Sequence, residues 1–338
     1  MIKRVAFIGT GRIAWSLAEA FKEAGYEVVC AISRTGYNLI NFAARFRIDC
    51  TIRSFDEMKS ALAEPALVLI AVPDSEIRSV AEQLTALDLP VEGSMFVHLS
   101  GSKNSDELSA LSSKGALTGT LHIPQSFPTT DPIPIRGLPA AIESVSSVGE
   151  RLLFEVAHIL GLIPISVKQE GKIFYHLAAV FASNFFPVLV ADSMKMFEAA
   201  GGKRDDYFKI FSSIITTTFN NILQNGPENA VSGVVSRRDE ETIRRHISAL
   251  LEFESQKRDV DLHAGLDEKD FHPGSGKKGF NTEKGFNAET GGSGLLETYK
   301  LLSKRTAELL GVQFNDESLW EGTFADGNDD DPPLKPGK

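Results

Sequence analysis

Val5–Ala14 reads VAFIGTGRIA: an apolar run, two glycines separated by one residue, then an alanine three residues on, opening an amphipathic stretch. A strand this apolar is buried on both faces, and it must hand over to a helix within a few residues. Few folds make that turn. A parallel sheet with helices on both faces makes it at its first strand–helix junction. Gly9 permits the tight turn, Gly11 leaves the backbone bare, and Ala14 lets the helix lie close to the strand.

The alternation continues. Apolar runs at Arg4–Ile8, Glu27–Ile32, Leu67–Val72, Met95–Leu99 and Ala116–Leu121 are separated by helical patterns near Ile13–Ala24, Asn38–Phe46, Phe55–Ala63, Ser75–Leu84 and Ser105–Ser113. Ser54–Glu57 reads as a capping box and Asn104–Glu107 resembles one. Leu138–Ile142 and Ile165–Val167 are two further strands flanking a helix near Val148–Leu160. The expectation is an α/β, doubly wound, mainly parallel Rossmann sheet over residues 1–168.

The chemistry of the chain then changes. Lys172–Ala200, Asp205–Gln224, Glu240–Phe253 and Leu295–Leu310 keep helical spacing with no strand pattern between them. An all-α second domain over 169–312 follows. Tyr207, Phe208, Phe211, Ile214, Ile215, Phe219 and Ile222 make one helix apolar on most faces, which demands burial in a bundle or at a subunit interface. The stretch 259–294, rich in Gly, Lys and Asn, reads as an insertion, and 313–338 as a flexible tail. Asp239 reads as the N-cap of the Glu240 helix.

At 338 residues the chain has room for two domains. Its formal net charge of -10 argues against nucleic acid or an anionic membrane as the main partner. The two cysteines, Cys30 and Cys50, suit buried thiols rather than a disulfide framework, and no Cys/His spacing suggests a metal. The first apolar run is too short for a signal peptide or a membrane span, so a cytoplasmic protein is expected.

The glycine turn has a ligand logic. The free N–H groups and positive end of the helix after Gly9, Thr10, Gly11, Arg12 and Ile13 would face a pyrophosphate. A dinucleotide is therefore expected. The second strand ends Ser33-Arg34-Thr35, where an acid would mark a bare ribose. An arginine between two hydroxyls suits a 2′-phosphate, so NADP is expected over NAD. Val72-Pro73 and Ser100-Gly101 end the next two long strands and should border the cofactor.

His122 follows a strand at the mouth of the same sheet. His176 opens the first long helix, and at 100° per residue Ser183 falls on its face, with Asn184 at the edge. These four residues are the candidate catalytic groups: a histidine to donate a proton or hydrogen bond, with Ser183 and Asn184 orienting. Each histidine could equally be a satisfied core or capping residue.

GTGRIA, AVPDSEI, HLSG, LHIPQSF, YHLAAVFASNF and AVSGVVSRRDEETIRRH, in this order, resemble a family of bacterial oxidoreductases of undefined substrate. The resemblance implies a Rossmann-like NADP-binding domain followed by a helical domain like the C-terminal domain of 6-phosphogluconate dehydrogenase. It also implies kinship of fold with pyrroline-5-carboxylate reductase and prephenate dehydrogenase, and a homodimer built by the helical domain. His122, His176, Ser183 and Asn184 fall on its motif positions. The family's arginine–glycine–aspartate reads Arg237-Arg238-Asp239 here, without the glycine of a tight turn. The lysine–asparagine pair of the 6-phosphogluconate dehydrogenase group is not found: Lys172 precedes His176 by one turn, but no asparagine follows it by four. The expected activity is hydride transfer between NADP(H) and a small carbonyl or imine compound. The rivals are a non-catalytic NADP(H) sensor or scaffold and a deazaflavin-dependent NADP reductase.

Overall fold

A computed structural model describes residues 2–34, 36–48, 51–52, 55–87, 89–264, 294–314 and 317–320. Its strands are β1 (Arg4–Ile8), β2 (Glu27–Ile32), β3 (Thr51–Ile52), β4 (Leu67–Ile70), β5 (Met95–His98), β6 (Leu117–His122), β7 (Pro139–Glu143) and β8 (Ile163–Ser166). They form one sheet in the order β3-β2-β1-β4-β5-β6-β7-β8. The first six run parallel; β7 is antiparallel to β6, and β8 is parallel to β7. This is the expected doubly wound, mainly parallel sheet, with a two-residue strand, β3, added at one edge.

Helices α1 (Arg12–Glu23), α2 (Gly36–Phe46), α3 (Met58–Ala61), α4 (Ile77–Ala86), α5 (Ser109–Ser112) and α6 (Ser147–Ile159) fill the crossovers. Successive residues of one strand serve opposite faces, and both faces are buried. Val5 and Phe7 pack with α1, α2 and α6, whereas Ala6 and Ile8 pack with α3 and α4. The apolar face of α1 recurs at Ala14, Leu17, Ala18 and Phe21. On α2, Phe42 meets Phe7 and Trp15 edge-on, each with ring centroids 5.4 Å apart. Cys30 is buried in β2; Cys50 and Ser54 lie outside the described residues.

The chain continues as α7 (Lys172–Ala179), a π-helical turn (Val180–Asn184), α8 (Phe186–Ala199), α9 (Tyr207–Asn225), α10 (Pro227–Ala230), α11 (Glu240–Ala264) and α12 (Leu295–Leu310). The compact units divide between Val188 and Leu189, within α8 rather than ahead of α7. The second unit has a small core of its own, in which Ile243, Ile247 and Leu250 of α11 meet Leu295, Leu296 and Ala307 of α12. Asp239 caps α11: Oδ1 accepts from Thr242 N (3.0 Å) and Oδ2 from Thr242 Oγ1 (2.8 Å). The tight turn before it persists without its glycine, because Arg238 takes the left-handed conformation, φ 55°.

Candidate functional site

Three parallel strand ends meet at the glycine turn. Gly9 N donates to Ile32 O and Ala71 N to Ile8 O, both at 2.7 Å, stitching the ends of β2, β1 and β4 together. Gly9 has φ +98°, and a Cβ there would collide with the Ala71 carbonyl. Gly11 differs: a Cβ there would meet only Ala71 O, at 3.9 Å, so the space above it is open. Gly11 is also the N-cap of α1, with no side-chain cap and no acid in the first turn. The first N–H groups of α1 are therefore left for an anion. Thr10 is 2% exposed, and its Oγ1 is buried with no partner among the described residues. The uncapped amides beside the open backbone of Gly11 fit a pyrophosphate. Arg12 lies at the rim, donating to Pro128 O at 3.4 Å, and Ile13 is half-buried.

At the end of β2, Ser33 is half-buried and Arg34 is 78% exposed. Arg34 Nη1 rests 3.4 Å from Glu76 Oε2. Thr35 lies outside the described residues. Val72 is half-buried beside Gly9 and Pro73 is exposed. Asp74, which looks like a helix cap in sequence, caps nothing. Its Oδ2 accepts from Ser100 Oγ (2.6 Å) and Ser102 Oγ (2.8 Å), tying the end of β4 to the end of β5. Ser100 Oγ in turn accepts from Ser102 N (3.2 Å) and Lys103 N (3.0 Å).

Under Ser100 lies His98, fully buried. Its Nδ1 accepts from Ser100 N (3.3 Å) and its Nε2 pairs with Asn104 O (3.0 Å). An amide only donates and a carbonyl only accepts, so the imidazole is neutral with its proton on Nε2. Burial, and then the charge of Lys172, push its pKa down to about 4, against the pull of Asn104 O and Asp74.

The next turn holds the two predicted histidines. Gly101 is buried beneath them; a Cβ would sit 2.8 Å from His122 Nε2 and 2.9 Å from His176 Nδ1. Only glycine lets both rings close on this backbone. The rings stand 6.4 Å apart, edge to face. Tyr175 completes the corner, its hydroxyl 2.9 Å from His122 Nδ1. Burial pushes His122 down to about 4, helped by Lys172 and His176 and opposed by Asp74; burial also raises the Tyr175 phenol. A neutral imidazole thus faces a protonated phenol. His176 Nδ1 is buried with no partner among the described residues.

Ser183 and Asn184 lie on the π-helical turn (Val180–Asn184) that continues α7. The π-helical turn breaks the 100° spacing that would align Ser183 with His176. Both residues are exposed, and Ser183 Oγ donates to Ala179 O and to Asn184 Oδ1, each at 2.8 Å. Of the site, sequence reasoning missed Tyr175 and His98. Tyr175 had a signal, its place beside His176; His98 reads as an ordinary strand residue.

Residues 2–123 match the Rossmann-like domain, and residues 138–264 match a domain of unknown function, DUF2520. No curated protein matches the chain. Among solved structures, a Thermotoga maritima protein shares 19% identity with a TM-score of 0.60, covering 91% of this chain and 98% of its own. A Bacteroides fragilis protein provisionally assigned as an NADP oxidoreductase shares 23% identity with a TM-score of 0.58, covering 78% and 97%. A reductive aminase from Aspergillus terreus, solved with NADPH and ethyl-5-oxohexanoate, shares 12% identity with a TM-score of 0.52, covering 77% and 88%. At these identities the likeness is one of fold.

Proposed function

We propose that this chain, a Rossmann-like domain joined to a DUF2520 domain, is an NADP-dependent reductase of a small carbonyl or imine compound. One observation carries the reading. The open glycine turn and the His122–Tyr175–His176 corner lie at the carboxyl ends of strands in one parallel sheet, the edge at which such sheets bind ligands. The Bacteroides neighbour, assigned as an NADP oxidoreductase, and the Aspergillus neighbour, solved with NADPH, support it at the level of the cofactor.

When bound, the nicotinamide supplies the hydride. The chain supplies the rest. The α1 amides would hold the pyrophosphate, with Thr10 in the turn beneath it, and Arg34 would take a 2′-phosphate in place of its present contact with the Glu76 carboxylate. Gly101 brings the imidazoles close to the backbone. The orphan Nδ1 of His176 needs a partner, which a substrate oxygen or nitrogen provides. His122, uncharged at neutral pH, hydrogen-bonds the Tyr175 hydroxyl and couples the corner to a second proton-bearing group. Ser183 and Asn184 serve the outer rim.

The partner we assign to the helical face is a second copy of the chain. Gln169–Ala199 is long and apolar enough to cross a membrane by length and composition. Its first helical residue, Lys172, is however buried against the sheet, and its middle carries the polar Ser183 and Asn184. A protein surface suits such a helix better than hydrocarbon.

The test is NADPH oxidation across a panel of small carbonyl and imine compounds. Turnover of one of them, falling about 100-fold in His176→Ala, is expected. Tight NADPH binding with no turnover across the panel would point instead to a sensor, and hydride transfer from a reduced deazaflavin to NADP to the third activity.

A further inference from the structure

Directly beneath the imidazole corner is a charged cluster that the proposed chemistry does not use. Lys172, the first residue of α7, is 2% exposed, and Glu143 at the end of β7 is 4% exposed. Lys172 Nζ donates to Thr120 Oγ1 on β6 and stands 3.6 Å from Glu143 Oε2. The other demands of the carboxylate are met by Ser105, whose N–H donates to Oε2 (2.8 Å) and whose hydroxyl donates to Oε1 (2.7 Å). A buried ion pair with this many satisfied bonds is held in one geometry, and a hydrophobic pair would have been at least as stable. Its retention calls for a purpose.

The placement supplies one. Thr120 lies two residues before His122 on β6, and Tyr175 and His176 lie within the first turns of the helix that Lys172 opens. Pinning Lys172 to β6 therefore fixes α7 against the strand that carries His122. It also sets a cation that cannot swing away below that ring. We propose that Lys172, braced by Glu143, is a positioning residue: it locks Tyr175 and His176 onto His122 and holds its cation beside that ring. This rests on the reading of His122 as a site residue.

The groups facing His122 are Lys172, Tyr175 and His176 from α7 and Asp74 from the turn after β4. Asp74 pulls toward the protonated ring, while Lys172 and His176 push against it. Removing the cation leaves Asp74 less opposed, so the His122 pKa must rise toward 6.5. The rise is partial because burial persists.

The experiment is a proton NMR titration of His122 in wild type, Lys172→Arg and the double variant Lys172→Met/Glu143→Gln, which leaves no buried charge unpaired. His122 should titrate near 4 in wild type and in Lys172→Arg. In the double variant it should titrate higher by roughly half a unit or more, and the Tyr175 cross-peaks to His122 should weaken. A His122 titration unchanged in the double variant overturns the proposal. Should that variant not fold, Thr120→Val, which removes one anchor of Lys172 and leaves the ion pair with Glu143 in place, decides: weakened Tyr175 cross-peaks to His122 support the proposal, and unchanged cross-peaks overturn it. NADPH affinity of the wild-type sample reports separately on the cofactor site, so absence of binding there would count against the proposed function rather than against Lys172.

Discussion

The sheet strands and helix α9 both carry runs of large apolar residues, and these meet opposite fates. Every residue of β4 is buried, and Phe7, Phe96 and Ile70 have no exposure. On α9, Phe208, Ile210, Ile214, Phe219, Ile222 and Leu223 are all exposed, and Tyr207 alone is buried. The sheet finds cover for both faces within its own crossovers, so its pattern is fulfilled by one chain. Helix α9 carries apolar groups on more sides than its own unit covers. The difference teaches that apolarity predicts burial but not by what, and it sorts the experiments.

The largest effect lies where the sheet is tightest. Gly9→Ala should cost roughly 3 kcal/mol, since it adds a backbone clash with Ala71 to an unfavourable φ. Denaturant unfolding reads it, and a cost below 1 kcal/mol would show that the turn is looser than drawn. Next is the buried imidazole. The folded-state pKa of His98, about 4, lies below the unfolded 6.5, so the unfolded chain holds the extra proton between those values. Stability should fall as pH drops through 6.5 to 4, by up to about 3 kcal/mol from this residue. His98→Gln should flatten that slope in pH-dependent melts; an unaltered slope would assign the acid sensitivity elsewhere.

The contrasting region gives smaller numbers. Ile214→Glu, on the exposed face of α9, should weaken self-association by about 2 kcal/mol while sparing the sheet. Light scattering should show a lighter particle; an unaltered mass would move the interface off this face. Least is Arg238→Gly, which should stabilise by about 1 kcal/mol in thermal melts, because a non-glycine residue now occupies φ 55°. A destabilisation would mean that the Arg238 side chain matters more than its backbone.

The same contrast governs what the sequence disclosed. Strand β1 and helix α1 were legible because a double-faced strand meets a glycine turn whose function is local. The end of β4 was drawn too long: Ala71 and Val72 are apolar, yet they leave the sheet to wrap Gly9. Strand β3 escaped notice because two residues carry no period. The π-helical turn has no residue signature, so the 100° spacing used for Ser183 does not hold through it. Asp74 serves two serines brought to it by the next strand, a partnership that its local sequence does not show. Lys172 and Glu143 meet only because β6 and β7 are neighbours, a fact of topology that local pattern does not hold. Gly101 shows the limit best: its need for no side chain comes from two rings distant in sequence.

The proposed function requires the glycine turn to hold a dinucleotide and Arg34, at the end of β2, to favour NADP over NAD. Calorimetric titration of NADPH and NADH into wild type and Arg34→Asp tests it most directly. The account predicts that wild type binds NADPH at least about 10-fold more tightly, and that Arg34→Asp erases the preference. Equal affinities in wild type would contradict the role of Arg34, and no binding of either cofactor would contradict the dinucleotide site itself.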